Sequence, residues 1–337
     1  SDDSVVAAYK AVKNVHHGSR HPTFFEFATA MALYEFGRQN VDWAVIETGM
    51  GGRLDATNII DPALCIISNI SVEHKAYLGT TIAAIAAEKG GIIKEHIPVV
   101  TGVRQTPAIQ TLSRIAEDRS APLYRFGNHF RVRRRADGTF TYFGIENTWR
   151  DMQTRLIGDH QVDNAALALA ACELLGKSMD LPLTAIKSGL QQNVWPGRLE
   201  VVCKRPLIIL DGAHNLIAAR NLAAFLARNL AGRNITLVAG ILDDKPYAAM
   251  LQSLLPVCRR AILTRPKIAR ALPTGVLNTV ARTMLSDITC VSDVGQAVTH
   301  AIETAAPDDV VCIAGSLYVV GEAKTAFEKH PALLSGK

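Results

Sequence analysis

Nowhere in the 337 residues does an apolar run reach the ~18 needed to cross a bilayer, and the chain opens on the acidic SDDSVV rather than on a basic leader. Neither a membrane span nor a signal peptide is expected. The six cysteines (65, 172, 203, 258, 290 and 312) never stand as Cys-x-x-Cys and fall mostly in apolar runs. That spacing excludes the common zinc and disulfide frameworks and reads as core thiols of a reducing compartment, so the cytoplasm is the expected location. Internal repeats and low-complexity tracts are absent. The densest basic run, RVRRR at 131–135, has no aromatic stacking platform to accompany it, and the ADGTFTYF that follows turns at Asp137-Gly138 like a hairpin. A solvated hairpin is the reading, and a nucleic-acid partner is not expected.

What is present describes a globular chain. With 48% hydrophobic and 20% charged residues it can build a core and still solvate its surface, and at 337 residues it is too long for one ordinary core. The net charge of +5 suits small anionic substrates as well as nucleic acid, so charge alone decides nothing. Short β-branched runs at 42–46, 64–70, 98–102, 206–210, 235–240, 260–264 and 309–314 alternate with helical patterns such as 24–36, 80–93, 164–175 and 215–230. That alternation predicts an α/β fold with mostly parallel sheets covered by helices. Strands and turns interrupt it at 123–156. A helix ends before Pro196-Gly197 in QQNVWPGRLEVV and a fresh α/β series follows, so the expected domains are 1–194 and 195–337.

A few polar residues stand at chemically suggestive places. Glu47 closes the apolar run in AVIETGMGGRLDATN and is followed by Gly49, Gly51 and Gly52. Glycines let backbone approach an anion, and a carboxylate at a strand's carboxyl end can hold magnesium. A tight turn with Glu47 paired to Arg53 is the alternative. His74, in LCIISNISVEHKAYLG, follows the next strand at the edge where open α/β sheets bind ligands, although a lone histidine is commonly structural or exposed. Lys89, in TTIAAIAAEKGGIIK, lies on an Ala/Ile-rich helical face. There an interior ammonium must be paired, neutral or modified, and exposure beside Glu88 is the alternative. In PLIILDGAHN a strand ends at Asp211, with His214 and Asn215 at a helix start, which reads either as a nucleotide site or as plain capping.

Taken in order, TFFEFATAMALYEFG, VIETGMGGRLDATNII, EHKAYLGTTIAAIAAEKGGIIK, GDHQVDNAALA, WPGRLE, LDGAHN, DDKP and AGSLYVVGEAK resemble the folylpolyglutamate synthase/dihydrofolate synthase family, within the wider Mur ligase group. The resemblance runs from about Thr23 to Lys324. It implies two domains, an incomplete Mur-ligase-type ATP-binding central domain and a Rossmann-like glutamate-ligase domain. It also implies a monomeric, ATP-dependent ligase that joins L-glutamate to a folate or dihydropteroate carboxylate through an acyl phosphate. By the same resemblance Glu47 and His74 are magnesium ligands, and Lys89 is carbamylated so that its added carboxylate helps hold a second magnesium. Asn164 contacts adenine, Arg198 lies near the phosphates, and Asp211 and His214 take the ribose and nucleotide side. Lys245 and Ser316 hold the carboxylates of the incoming amino acid, and Asp55 shapes the folate side. Lys89, Arg198 and His74 form the implied catalytic set. The residue types suit phosphoryl transfer, which needs positioning and charge neutralisation more than covalent help.

Departures from the family's pattern matter as well. The chain has no G-x-x-x-x-G-K-[ST] match; its nearest imitation, ACELLGKS at 171–178, lacks the first glycine and follows a helix instead of a strand. A fragment of a longer ligase is therefore expected. Glu73 stands where the family usually has Asp, Gly90 where it has Ala, and Pro246 where it often has Asp. None of these removes an expected ligand. Two other readings are a Mur-type ligase with another acceptor and a catalytically inactive folate- or glutamate-binding relative. The pairing of GGRLDATN with GSLYVVGE favours the folate branch over cell-wall ligases.

Overall fold

The computed structural model describes residues 1–15, 20–71, 75–176, 179 and 181–335, so His74 lies outside the described residues. The chain forms two compact units, Ser1–Thr154 with Val162–Gln191, and Arg155–Gln161 with Gln192–Lys337. The second unit thus includes residues 155–161 and 192–194, which the sequence reading leaves in the first.

In the first unit α1 (Asp2–Lys13) packs on α2 (Phe24–Gln39). Thr23 and Glu26 start α2 as a capping box, each accepting the other's backbone N–H, and Asn40 ends it in the left-handed conformation. A parallel sheet runs in the order β1 (Cys65–Ile67), β2 (Val99–Thr101), β3 (Leu123–Arg125). The one-turn α3 (Lys75–Leu78) and α4 (Ile82–Gly90) connect β1 to β2, and α5 (Thr106–Asp118) connects β2 to β3. Thr81 caps α4 by accepting the Ala84 N–H. Ile85 and Ala86 of α4 and Leu112 and Ala116 of α5 then share one core with Ile67 and Val99.

The expected strand at 42–46 does not form. A strand exists only when a partner completes its ladder, and among the described residues this segment pairs with none. Its apolar side chains stay out of the core, with Trp43 45% and Val45 100% exposed.

The expected interruption by strands and turns is a three-stranded antiparallel sheet of β4 (Arg131–Arg134), β5 (Phe140–Phe143) and β6 (Thr148–Met152), followed by α6 (Asp159–Leu175) and α7 (Leu183–Gln192). The hairpin turns at Asp137, whose carboxylate accepts the Thr139 N–H and hydroxyl. On its outer face Arg131 and Arg133 cover the Phe143 ring at 4.8 and 5.3 Å, so the basic run does have an aromatic beside it. Phe140, Tyr142 and Met152 are buried with Ala166, Leu169 and Ala170 of α6. Glu173 fastens the sheet to that helix. Its Oε2 accepts from the Tyr142 hydroxyl at 2.9 Å and the Ile145 N–H at 2.8 Å. Its Oε1 accepts from the Glu146 and Asn147 N–H groups and the Asn147 side-chain amide at 2.8, 2.6 and 3.0 Å.

The second unit is built on one six-stranded sheet in the order β11-β10-β9-β12-β8-β7. Its strands are β7 (Glu200–Lys204), β8 (Leu207–Leu210), β9 (Ile235–Ala239), β10 (Arg260–Leu263), β11 (Ile288–Cys290) and β12 (Val310–Ala314), all parallel except β7. On one face lie α8 (Leu216–Asn229), α9 (Tyr247–Leu254) and α10 (Thr274–Ala281), through residues such as Leu222, Leu251 and Leu277. On the other lie α11 (Val294–Thr304) and α12 (Leu317–Lys329), through Val298, Val319 and Phe327. The helix after β12 therefore leaves on the face opposite to the helices after its neighbours β8 and β9. Such a switch opens a crevice at the carboxyl ends of those strands, the general ligand position in open α/β sheets. Among the described residues no helix is long and apolar enough to cross a membrane.

Candidate active site

Two sets of expected site residues fall in different units. In the first unit, residues 49–58 form a tight loop organised by Asp55. Its Oδ2 accepts the Met50 N–H at 2.8 Å, and its Oδ1 accepts the Thr57 N–H and hydroxyl at 3.0 and 2.7 Å. Burial pushes the Asp55 carboxyl up, but the Thr57 hydroxyl and the backbone N–H groups outweigh it and hold the group below the usual carboxylate range. The carboxylate is thus spent on its own loop.

That loop docks on the last turn of α4. The Arg53 N–H donates to the Glu88 carbonyl at 2.8 Å, and the Arg53 guanidinium grips the Glu88 carboxylate at 3.0 Å. A Cβ on Gly52 would lie 2.8 Å from the Glu88 carbonyl oxygen and 2.9 Å from that of Lys89, so only glycine permits the contact. Arg53 therefore pairs with Glu88 and not with Glu47. Glu47 is exposed, Lys89 is half-buried, and neither side chain has a hydrogen-bond or ion-pair partner among the described residues. Those residues gather no three His, Cys, Asp or Glu side chains into a metal cage. Magnesium does not require one, being commonly held through one or two carboxylates plus substrate phosphates, and the uncommitted Glu47 carboxylate fits that chemistry. Asn164 is exposed in the second turn of α6. Its neighbour Asp163 accepts from Arg104 and Arg134 at 2.9 and 2.5 Å, a clamp that sequence spacing does not reveal.

In the second unit, Arg198, Asp211, His214 and Ser316 stand at the carboxyl ends of β8 and β12 and the adjoining start of β7. Asp211 accepts the Leu199 and Ala213 N–H groups, both at 2.9 Å. Burial pushes its carboxyl up, against these N–H groups and the nearby charges of Arg198 and His160. His160 belongs to the GDHQVDN motif, of which sequence reasoning used only Asn164. A Cβ on Gly212 would meet Leu317 Cδ2 and fall 2.8 Å from Arg198 Nη1, so both side chains lie close against its backbone. His214 Nδ1 lies 2.9 Å from the Gly212 carbonyl, which can only accept, so Nδ1 carries a proton, and in the neutral ring Nε2 is left as an acceptor. Ser316 is buried as the N-cap of α12, its oxygen accepting the Val319 N–H at 3.2 Å. Lys245, in the loop after β9, pairs with Asp244 at 2.9 Å, and Arg270 approaches the same carboxylate at 3.4 Å. Burial pushes the Asp244 carboxyl up, but the hydrogen bond from Lys245 and the charges of Lys245 and Arg270 bring it below its usual range.

Comparison with known proteins reaches both parts of the chain. The Mur ligase middle domain matches residues 4–172, and the Mur ligase glutamate ligase domain matches residues 197–317. A folylpolyglutamate synthase of Lacticaseibacillus casei is 35% identical over 94% of this chain and 72% of its own length. The chain belongs to the folylpolyglutamate/dihydrofolate synthase family of Mur ligases. A second member, the dihydrofolate synthase/folylpolyglutamate synthase of Bacillus subtilis, is 40% identical over 69% of the chain, and that match spans 56% of the relative's length. The family's bifunctional synthase from Yersinia pestis, solved with AMPPNP and a manganese ion, is 30% identical with a TM-score of 0.87, covering 97% of this chain and 76% of that one.

Proposed function

We propose that this chain carries the ATP-driven ligation of L-glutamate to a folate or pteroate carboxylate. The observation that carries the reading is the carboxyl edge of β8 and β12, where Arg198, Asp211 and His214 gather about the Gly212 backbone in a member of this ligase family. A guanidinium at the carboxyl edge of a parallel sheet suits phosphate oxygens. Arg198 takes the phosphates, Asp211 and His214 the ribose side, and Asn164 the adenine. Lys245 shares its ammonium between Asp244 and a carboxylate of the incoming glutamate. Ser316 gives its hydroxyl proton to the same ligand while its oxygen caps α12. Asp55 shapes the folate side from within its loop.

Glu47, His74 and a carbamate on Lys89 would hold magnesium, which when bound would neutralise charge on the transferred phosphoryl group. The γ-phosphoryl group passes from ATP to the substrate carboxylate. The amine of glutamate then attacks the acyl carbon, loses a proton, and phosphate leaves. The protein acts as a cytoplasmic monomer. Calorimetry with ATP·Mg and with a reduced folate, followed by mass spectrometry of a mixture with glutamate, tests the reading. The expected result is binding of both ligands and a folate heavier by one glutamyl residue. Binding of neither ligand would sink it.

A further inference from the structure

The WPGRLE turn adopts a conformation that its residues do not favour by themselves. Gly197 (φ 70°) and Leu199 (φ 46°) both lie in the left-handed region, with Arg198 between them. For the buried Leu199 that geometry brings Cβ against a carbonyl oxygen, so the surrounding structure must impose it. Three hydrogen bonds do so. The Leu199 N–H donates to Asp211 at 2.9 Å, the Gly212 N–H donates to the Gly197 carbonyl at 2.6 Å, and the Gly197 N–H donates to Glu200 Oε2 at 2.7 Å.

The first two come from the site itself, whereas the third depends on where Glu200 points. Its other oxygen, Oε1, is held by the Lys324 ammonium at 2.8 Å, with the side chains only 22% and 34% exposed. A pair this sheltered is screened less than one on the open surface. Lys324 stands on α12, which is fixed at its start by Ser316 and further along by Glu322, whose carboxylate accepts the Lys267 N–H at 2.5 Å. The GEAK end of the AGSLYVVGEAK motif thus ties a rigid helix to the strained turn.

We infer that Lys324 is a positioning residue: through Glu200 it holds the turn at 197–199 and so aims Arg198 at the nucleotide phosphates. The inference rests on the phosphate role proposed for Arg198. Without the ammonium, Glu200 swings toward water, the Gly197 N–H loses its acceptor, and Arg198 spreads over more orientations.

The test compares Lys324→Met, Lys324→Arg and Glu200→Gln in the full chain. The Arg198 Nε–H resonance, assigned by its loss in Arg198→Lys, should shift and broaden in Lys324→Met and Glu200→Gln and return in Lys324→Arg. ATP·Mg affinity should fall about fivefold in Lys324→Met, about 1 kcal/mol at 1.4 kcal/mol per tenfold, while adenosine affinity stays unchanged. An Arg198 resonance unmoved in both Lys324→Met and Glu200→Gln overturns the inference, whatever the nucleotide does. A moved resonance together with unaltered ATP affinity in Arg198→Ala supports the positioning and overturns the phosphate role instead.

Discussion

Replacing Glu173 by glutamine keeps the side chain's shape and removes one acceptor oxygen. If Oε2 becomes the amide nitrogen, the Tyr142 hydroxyl can turn to accept from it and the Ile145 N–H loses its acceptor; if Oε1 does, the Glu146 and Asn147 N–H groups lose theirs. Leaving a partly buried donor unsatisfied costs about 1–3 kcal/mol, and at least one is left so in either orientation. For a unit of this size that lowers Tm by about 2–12 °C, at ~2–4 °C per kcal/mol. The effect depends on pH. Burial pushes the Glu173 carboxyl up, but the N–H groups of Glu146, Ile145 and Asn147 and the Tyr142 hydroxyl hold it below its usual range. A carboxyl lowered by folding stabilises fully above its unfolded value of ~4.3 and ceases to do so as pH falls through the folded value. Thermal melts of wild type and Glu173→Gln should therefore differ most at neutral pH and converge on acidification. A Tm difference under ~2 °C at neutral pH, or one that stays constant down to about pH 3, would refute the reasoning.

Three predictions concern the proposed site. Glu47→Gln should leave Tm unchanged and reduce ligation at least ~100-fold, since even the outer partners of metal ligands are worth roughly 10–100-fold; near-wild-type ligation would remove Glu47 from the metal. Asp211→Ala should weaken ATP about tenfold, the worth of one charge-assisted hydrogen bond, and leave the folate KM alone. A raised folate KM with unchanged nucleotide affinity would reverse the assignment. Lys89→Ala should lose activity that added acetate partly restores and added methylamine does not, because a carbamate presents oxygens where a lysine presents an ammonium. Rescue by the amine alone would discard the carbamate.

Much of the second unit is legible because its motifs sit beside strand termini. PLIILDG, for example, places Asp211 directly after β8, and strand ends at a sheet's carboxyl edge are where ligands bind. The run at 42–46 misleads for the complementary reason. Its apolar residues carry the pattern of a strand, but strand formation depends on a neighbour that local sequence does not specify. The short β11, with Thr289 between Ile288 and Cys290, carries too little pattern to be found. The pairings Arg53–Glu88, Glu173–Tyr142 and Lys324–Glu200 join distant parts of the chain, and nothing local marks them.

The strand order of the second unit has a consequence for its synthesis. β8 and β9 are made early, yet they are joined only through β12, which pairs with both. Until about residue 314 leaves the ribosome, each presents an open edge of Ile, Leu and Val where the final strand belongs. Such long-range parallel pairing is slow, and unpaired edges invite association between chains. Folding of this half cannot proceed strand by strand behind translation, and a premature stop anywhere before β12 leaves two half-sheets with nothing between them.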